Sequence, residues 1–512
     1  MPKSPNRRSP SQSRLPYERP PATTPLSRQP LLAFPVSGEP IAGVDREDAG
    51  WLKVTFGAAS QNVLVVGGTG SGKTESVMRP ALARLIETGC AGLVLDTKSD
   101  YSALAAGYAD RIVLVGTCPG AQRVNVLAGM ADERFRQWVS SLSEGLTSTS
   151  NNGSYYAQQG EEAAYTIWLC LKYGLGQPPT LARLHKYLTD PRALCQALAA
   201  RGEAGFPAPL RAQIDAERAN SFSLLRFGGY FELNDTMADL SGRGPEQWSW
   251  STNYLRNVLR PFAADPVLRA QLSADTELPI STLVYGLSRT IVLDVPQAVY
   301  GTAATAVSQL LRLQFMDAVR TSDPSRRREL GYGRDRFTFL LADEYQEHIS
   351  ASNRDPLGDA SFFATSRSYG NINLVATQSI SGLEARGDAA AVEGLVGNCR
   401  TKVVLTVEDP RTIDLACSLV PGFGLKVIVH LRYPERAGQG FVHTRNEGRV
   451  VAGTFDMTLA VEPYAWMARF IGRPVVALAP LTADEIVVRA RVDAARRQAG
   501  RQTARIGDKE GR

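Results

Sequence analysis

The chain of 512 residues has no apolar run long enough to cross a bilayer. Stretches such as "TIVLDV" and "PVVALAPL" fall far short of the roughly 20 residues that a spanning helix needs, so no transmembrane segment is expected. Basic residues open the chain, but no apolar core follows them ahead of a small-residue cleavage site. That argues against a signal peptide and for a cytoplasmic protein. Cysteine is sparse and unpatterned. The six, at positions 90, 118, 170, 195, 399 and 417, form no C-x-x-C pair and have no histidine at metal-ligand spacing. They read as buried thiols in a reducing compartment, not as a disulfide framework or a zinc site. Excess charge is also small: a net +6 with a pI near 9.0 permits a polyanionic partner without requiring one. No internal repeat, zinc finger, helix-turn-helix signature or RNA-binding sheet motif is apparent, so base-specific recognition is not indicated.

What the chain does contain is "VVGGTGSGKTES", residues Val65 to Ser76. Gly67, four residues, then Gly72, Lys73 and Thr74 fit the phosphate-loop pattern. In that pattern consecutive backbone N–H groups wrap the phosphates, the lysine reaches the outer ones and the threonine hydroxyl sits on magnesium. Gly67, Gly68, Thr69, Gly70, Ser71, Gly72, Lys73, Thr74 and Glu75 are the candidate nucleotide contacts. The flanks agree. "NVLVVG" suits a buried strand, and "KTESVMRPALARLIETG" carries Val77, Leu82, Leu85 and Ile86 at helical spacing. The helix would aim its positive dipole end at the phosphates. Pro80 must sit in its first turns or bend it there.

Composition divides the chain further. Residues 1–48, rich in proline, serine and arginine, and the basic end 481–512 read as tails, either plain solvated segments or ones that touch an anionic partner. Between them, apolar runs such as "AGLVLDTKSD", "RIVLVG", "RTIVLDVP", "RFTFLLADEYQ", "NINLVATQS", "TKVVLTVED" and "GQGFVHTR" alternate with helical segments. That is the pattern of an α/β fold with a mainly parallel sheet covered on both faces. Its core is expected over 49–129 and 279–480. The interval 130–278 has few strand-like runs and many helical ones, and is expected to be an inserted all-α domain.

A phosphate loop needs an acid for the metal's water shell and, for hydrolysis, a group that orients or deprotonates the attacking water. "FTFLLADEYQ" offers Asp343 for magnesium and Glu344 as catalytic base, with an exposed acidic pair opening a helix as the competing reading. "NINLVATQS" ends in Gln378, able to donate and accept hydrogen bonds near a phosphate. Arg367 in "FFATSRSYGN" is a candidate arginine finger for a neighbouring subunit, or else a surface salt-bridging residue. Asp96 and Lys98 in "LDTKSD" sit at a strand's carboxyl end, where ligands gather in open sheets, unless they are a local ion pair.

Taken in order, these pieces resemble the type IV coupling proteins, the VirD/TraG/TraD-like ATPases of conjugation and type IV secretion, within the FtsK/HerA group of RecA-like P-loop pumps. The resemblance runs from about Trp51 to about Phe455 and rests on "GGTGSGKTES", "LVLDTKSDY", "RVNVL", "LLADEYQ", "RSYGNINLVATQS" and "NCRTKVVLTVEDP". It implies a RecA-like P-loop NTPase core with an all-α insert, and ATP and Mg2+ as ligands. The magnesium would be held by Thr74 and Asp343. Lys73, Glu344, Gln378 and a trans-acting Arg367 would form the catalytic set, which in turn implies a homo-hexamer. The implied function is recruitment of DNA, as single strand with an attached relaxase, to a type IV secretion channel at the inner face of the membrane, and translocation driven by ATP hydrolysis. Coupling of protein effectors and a nucleotide-gated docking platform remain as alternatives. The chain departs from the family in three ways: no membrane-spanning start, Thr97 and Ser99 where proline and glycine are usual, and an insert unlike any particular member.

Overall fold

A computed structural model describes residues 24–457, apart from 38–40, 42–49, 104–107, 109, 144–152, 221–222, 232–243, 350–357 and 433–436. The tail expected over 481–512 and most of the one expected over 1–48 lie outside the described residues. The strands are β1 (Pro30–Pro35), β2 (Trp51–Thr55), β3 (Val63–Val66), β4 (Ala91–Asp96), β5 (Ile112–Gly116), β6 (Thr290–Asp294), β7 (Thr338–Ala342), β8 (Asn371–Thr377), β9 (Thr401–Leu405), β10 (Gln439–Asn446) and β11 (Arg449–Asp456). The chain divides into two compact units, Met1–Ala91 with Asp323–Pro474 and Gly92–Ser322 with Val475–Arg512.

In the first unit the strands run β11-β10-β9-β3-β8-β7. β3 lies parallel to both β8 and β9, and β7 lies parallel to β8. Every residue of β3, β7, β8 and β9 is buried. Burial along the whole of each strand, with apolar residues at most positions, is what a parallel sheet covered on both faces requires. The edge is different. β10 and β11 are antiparallel, joined by a tight turn at Glu447 and Gly448, both with positive φ, so "GQGFVHTR" is not one of the parallel strands. Helices Pro410–Ser418 and Gly424–Arg432 close this end, packing Ile413, Ala416, Val427 and Leu431 against Val404, Phe441 and Ala452.

One strand falls inside the stretch expected to be a tail. β1 pairs antiparallel with β2 and buries Leu31, Leu32 and Phe34, whose ring centroid is 4.5 Å from that of Phe455. Its apolar run is short, and the proline-rich sequence around it concealed the signal.

The second unit holds the parallel strands β4-β6-β5. Between β5 and β6 the described residues form helices and no strand. The sequence marks their starts: Thr180 caps Leu181–Thr189, and Asp190 caps Pro191–Arg201, with Pro191 in the first turn. Phe135 stacks on Trp168 at 4.3 Å, and Trp138 donates from its indole to the Ala306 carbonyl of helix Thr302–Thr321 at 3.0 Å. Among the described residues no helix is long and apolar enough to cross a membrane.

The end of β5 tests this packing. Gly116 has φ +126° and is so close to β6 that an added Cβ would lie 2.0 Å from the Asp294 carbonyl oxygen. Gly116→Ala should therefore force β5 and β6 apart and lower the second unit's calorimetric unfolding temperature by several degrees, on the order of 2 kcal/mol or more.

Candidate nucleotide site

Strands β3, β7, β8 and β9 end on one rim of the first unit's sheet, because the parallel register sets Val66 beside Thr377 and Val404, and Ala342 beside Val375. The phosphate loop follows β3, Asp343 and Glu344 follow β7, and Gln378 follows β8. The loop's shape is set by its neighbours. Gly67 N–H donates to the Thr377 carbonyl at 3.2 Å and Gly68 N–H to that of Thr406 at 2.8 Å, while Gly438 N–H reaches the Ser71 carbonyl at 3.0 Å. Gly70 and Gly72 have φ of +76° and +91°, in the left-handed region that glycine enters at little cost. Thr69 and Gly70 are exposed at the tip.

After Lys73 the chain enters its helix through a widened turn, Thr74–Met78, in which Arg79 N–H bonds the Thr74 carbonyl five residues back. Regular winding resumes over Arg79–Glu87, with Pro80 in the first turn. Proline has no N–H for the carbonyl four residues earlier and its ring crowds that turn, which accounts for the extra residue accommodated there. Glu75 is ion-paired with Arg79 one turn on.

The candidate site residues converge. Thr74 Oγ1 donates to Asp343 Oδ2 at 2.9 Å. The buried Lys73 ammonium donates to the Gly67 carbonyl and, at 3.2 Å, to that of Gly68. Ser71 Oγ is buried with no hydrogen-bond partner among the described residues. Glu344 adopts φ 49°, ψ 49°, a left-handed conformation that costs a non-glycine residue about 1–3 kcal/mol and is held only where the surroundings enforce it. Its N–H bonds Asp343 Oδ1 at 3.0 Å. Its Oε2 accepts from two side-chain amides, Gln346 at 2.6 Å and Gln378 at 3.1 Å. Gln346 in turn accepts from Thr377 Oγ1 at 2.8 Å. Gln346 stands in the "DEYQ" stretch but was not singled out from the sequence; only the turn at Glu344 brings it back onto the carboxylate.

Arg367 is not part of this cluster. It lies exposed in the turn Ser366–Tyr369 that precedes β8, whereas Gln378 follows β8. Seven strand residues at about 3.3 Å each separate the two rims by roughly 20 Å.

Asp96 stands in the second unit and acts as a turn cap. Its carboxylate accepts from the N–H groups of Asp100 at 2.9 Å and Tyr101 at 2.7 Å, with Lys98 and Ser102 more distant at 3.3 Å. Burial pushes its pKa up to about 6; the Tyr101 and Asp100 N–H groups oppose that, and the nearby Asp294 adds to it.

The donors around the loop are those a nucleotide phosphate and a hard cation use: backbone N–H groups, an ammonium, an orphaned serine hydroxyl, and a threonine hydroxyl beside one carboxylate. A cation here would be held by few protein ligands, as Mg2+ usually is, and among the described residues no cluster of three or more His, Cys, Asp or Glu could hold a metal on its own.

A family model described as the TraM recognition site of TraD and TraG matches residues 359–420, the segment that carries β8 and β9. The fold is similar to that of the plasmid coupling protein TrwB solved with the non-hydrolysable ATP analogue ADPNP, with a TM-score of 0.54, 13% identity, and 84% of this chain and 94% of that one covered. TrwB with the GTP analogue GDPNP gives 0.53, 12%, 86% and 96%. No curated protein sequence matches the chain. The fold is thus a RecA-like P-loop NTPase fold with a mostly parallel sheet and many helices. Within that class, the matched segment and the fold bear out the resemblance to the type IV coupling proteins.

Because the folded pKa of Asp96 exceeds the ordinary carboxylate value, its stabilising contribution is complete below about pH 4 and is lost as pH rises through about 6. Asp96→Asn should flatten that part of the pH dependence. The difference in thermal unfolding temperature between wild type and variant, followed from pH 4 to pH 7, should change sharply across this window and be level outside it.

Proposed function

We propose that the protein is an ATP-hydrolysing coupling protein, a ring motor that recruits DNA to a type IV secretion channel and drives it through. The observation that carries this reading is the Thr74–Asp343 hydrogen bond, with Glu344 held beside it by Gln346 and Gln378. A binding platform needs only the loop; the carboxylate pair with its amide supports is what hydrolysis adds. Residues 67–75 would hold the triphosphate, and Thr74 and Asp343 the magnesium, which supplies charge neutralisation at the phosphates. Lys73 would leave the loop carbonyls for the outer phosphates. Glu344 would take the proton of the attacking water, its orientation fixed by two amides that a neutral carboxyl would hold less well. Gln378, bonded to that same carboxylate, would register whether the outer phosphate is present.

Arg367 would complete a neighbour's site, since it stands at the rim opposite its own. That makes the working unit a ring, a homo-hexamer by resemblance to the coupling proteins. Residues 130–278 would be the inserted helical domain. The DNA, taken up as single strand with its relaxase, would be gripped through phosphates without base readout. The match over 359–420 supports a protein contact from the relaxosome side on that segment, and with it recruitment to the inner face of the membrane.

Glu344→Gln should keep ATP binding and lower turnover by about 10²–10⁴-fold, measured as phosphate release against nucleotide affinity. Unchanged turnover would remove the motor reading. Lys73→Ala should lose binding itself. Single-stranded DNA should stimulate the wild-type rate, with an affinity that falls steeply with salt. If DNA leaves the rate unchanged and protein effector tails stimulate it instead, the cargo is protein.

A further inference from the structure

Buried asparagines are uncommon in parallel sheets, and the first unit has three in one hydrogen-bonded chain. Asn62, at the last position before β3, has φ +66° and is buried, as are Asn371 and Asn373 of β8. Asn62 Oδ1 accepts from Asn373 Nδ2 at 2.8 Å and from Ser366 Oγ at 3.0 Å. Asn371 Nδ2 donates to Asn373 Oδ1 at 2.8 Å, and Thr338 Oγ1 of β7 donates to Asn371 Oδ1 at 2.8 Å. Asn62 Nδ2 donates to the Phe363 carbonyl at 2.8 Å and to that of Asn398 at 3.1 Å. A fully satisfied polar network in a core specifies one arrangement of the elements it joins, because every alternative leaves a buried partner unmade.

What it joins is informative. Ser366 is the residue before Arg367, and its side chain is completely buried while Arg367 is exposed. Asn62 is the residue before β3, whose far end is the phosphate loop, four buried residues or about 13 Å away. A second link runs through the apolar core: Phe363, in helix Asp359–Thr365 leading to Arg367, lies 5.9 Å ring to ring from Tyr345, the residue after Glu344. The turn bearing the arginine is therefore fastened to the two strands that carry this chain's own nucleotide machinery.

We infer that Asn62, Ser366 and Asn373 are positioning residues for Arg367, fixing the arginine that one subunit offers its neighbour to the phosphate-loop strand of the subunit that offers it. This rests on the proposed role of Arg367 in trans. Displacement at one subunit's phosphate loop would then be carried along β3 to the arginine it presents next door, through contacts with discrete arrangements.

The test uses mixed full-length assemblies. Arg367→Ala chains keep a complete nucleotide site and lack the arginine; Lys73→Ala chains lack nucleotide binding and keep the arginine. Each alone should be inactive, and mixing them should restore DNA-stimulated ATP turnover at the interfaces where an intact arginine faces an intact site. Ser366→Ala is then added to one partner or the other. On the Lys73→Ala chain, which donates the arginine, it should cut the restored rate about tenfold, as a small misplacement of a charge-stabilising group does. On the Arg367→Ala chain it should leave the rate unchanged, and on the Lys73→Ala chain Ser366→Thr, which keeps the hydroxyl, should retain more of the restored rate than Ser366→Ala does. Should Ser366→Ala fail to fold, Thr338→Val removes the network's outer donor with little change of shape and should give the same asymmetry in weaker form. Equal loss on both chains, or loss on neither, overturns the positioning role. An unmixed-like lack of turnover in the starting mixture overturns the trans role of Arg367 and takes this inference with it.

Discussion

The level at which four parallel strands stop decides where everything else in the first unit can be. With Val66 paired to Thr377 and Val404, and Ala342 to Val375, the residues that follow β3, β7 and β8 emerge on one rim and side by side. Polar and charged groups there need no burial across the sheet, and ligands in open α/β folds collect at such rims for that reason. A slip of one residue in β8 would turn Thr377 to the other face, and Gln378 would leave the Glu344 carboxylate. The phosphate loop has few bonds of its own, chiefly from Lys73 and the Ser71 N–H back to the first two glycines. It is a chain of glycines given one shape by backbone bonds to the ends of β8 and β9 and to Gly438, and an added Cβ at Gly67 would meet Ser71 Oγ at 2.6 Å.

The parts of this arrangement legible in the sequence are those where residue type and strand end coincide. "GGTGSGKTES", "LLADEYQ" and "LVATQS" each put polar or charged groups directly after an apolar run, and the structure brings Thr74, Asp343, Glu344 and Gln378 together. Helix starts carry a signal of the same local kind, since Thr180 and Asp190 each cap the helix that begins at the next residue. Less was visible wherever the determining contact is distant. β1 exists because Phe34 meets Phe455, far along the chain. The antiparallel course of β10 is set by the turn at Glu447–Gly448, and an "NEGR" stretch gives a weaker hairpin signal than Asn-Gly or Asp-Gly would. Asp96 could have been an ion-pair partner by sequence; the geometry instead commits its carboxylate to the backbone of the adjoining turn.

Gln346 illustrates a different limit. It is two residues from Glu344, and in an extended chain that spacing would only set the two side chains on one face, several ångströms apart. The left-handed backbone at Glu344 reverses the chain so that both amides, one local and one from the end of β8, converge on a single oxygen. Strained backbone at a candidate-site carboxylate is the kind of local cost that the surrounding fold must overdetermine. Here the buried Tyr345 and the bond from Glu344 N–H to Asp343 do so.

The widened turn between Lys73 and Pro80 has a consequence for how this chain can change over generations. One residue more than regular winding would use is stored there, directly behind the hydroxyl that meets Asp343. Deleting a residue from that stretch would let the coil close up, and the apolar stripe beyond it would keep its seat in the core by rotating everything ahead of it. Length in this interval is thus a heritable gear setting: the count of residues between Lys73 and Pro80 fixes where the Thr74 hydroxyl stands relative to Asp343.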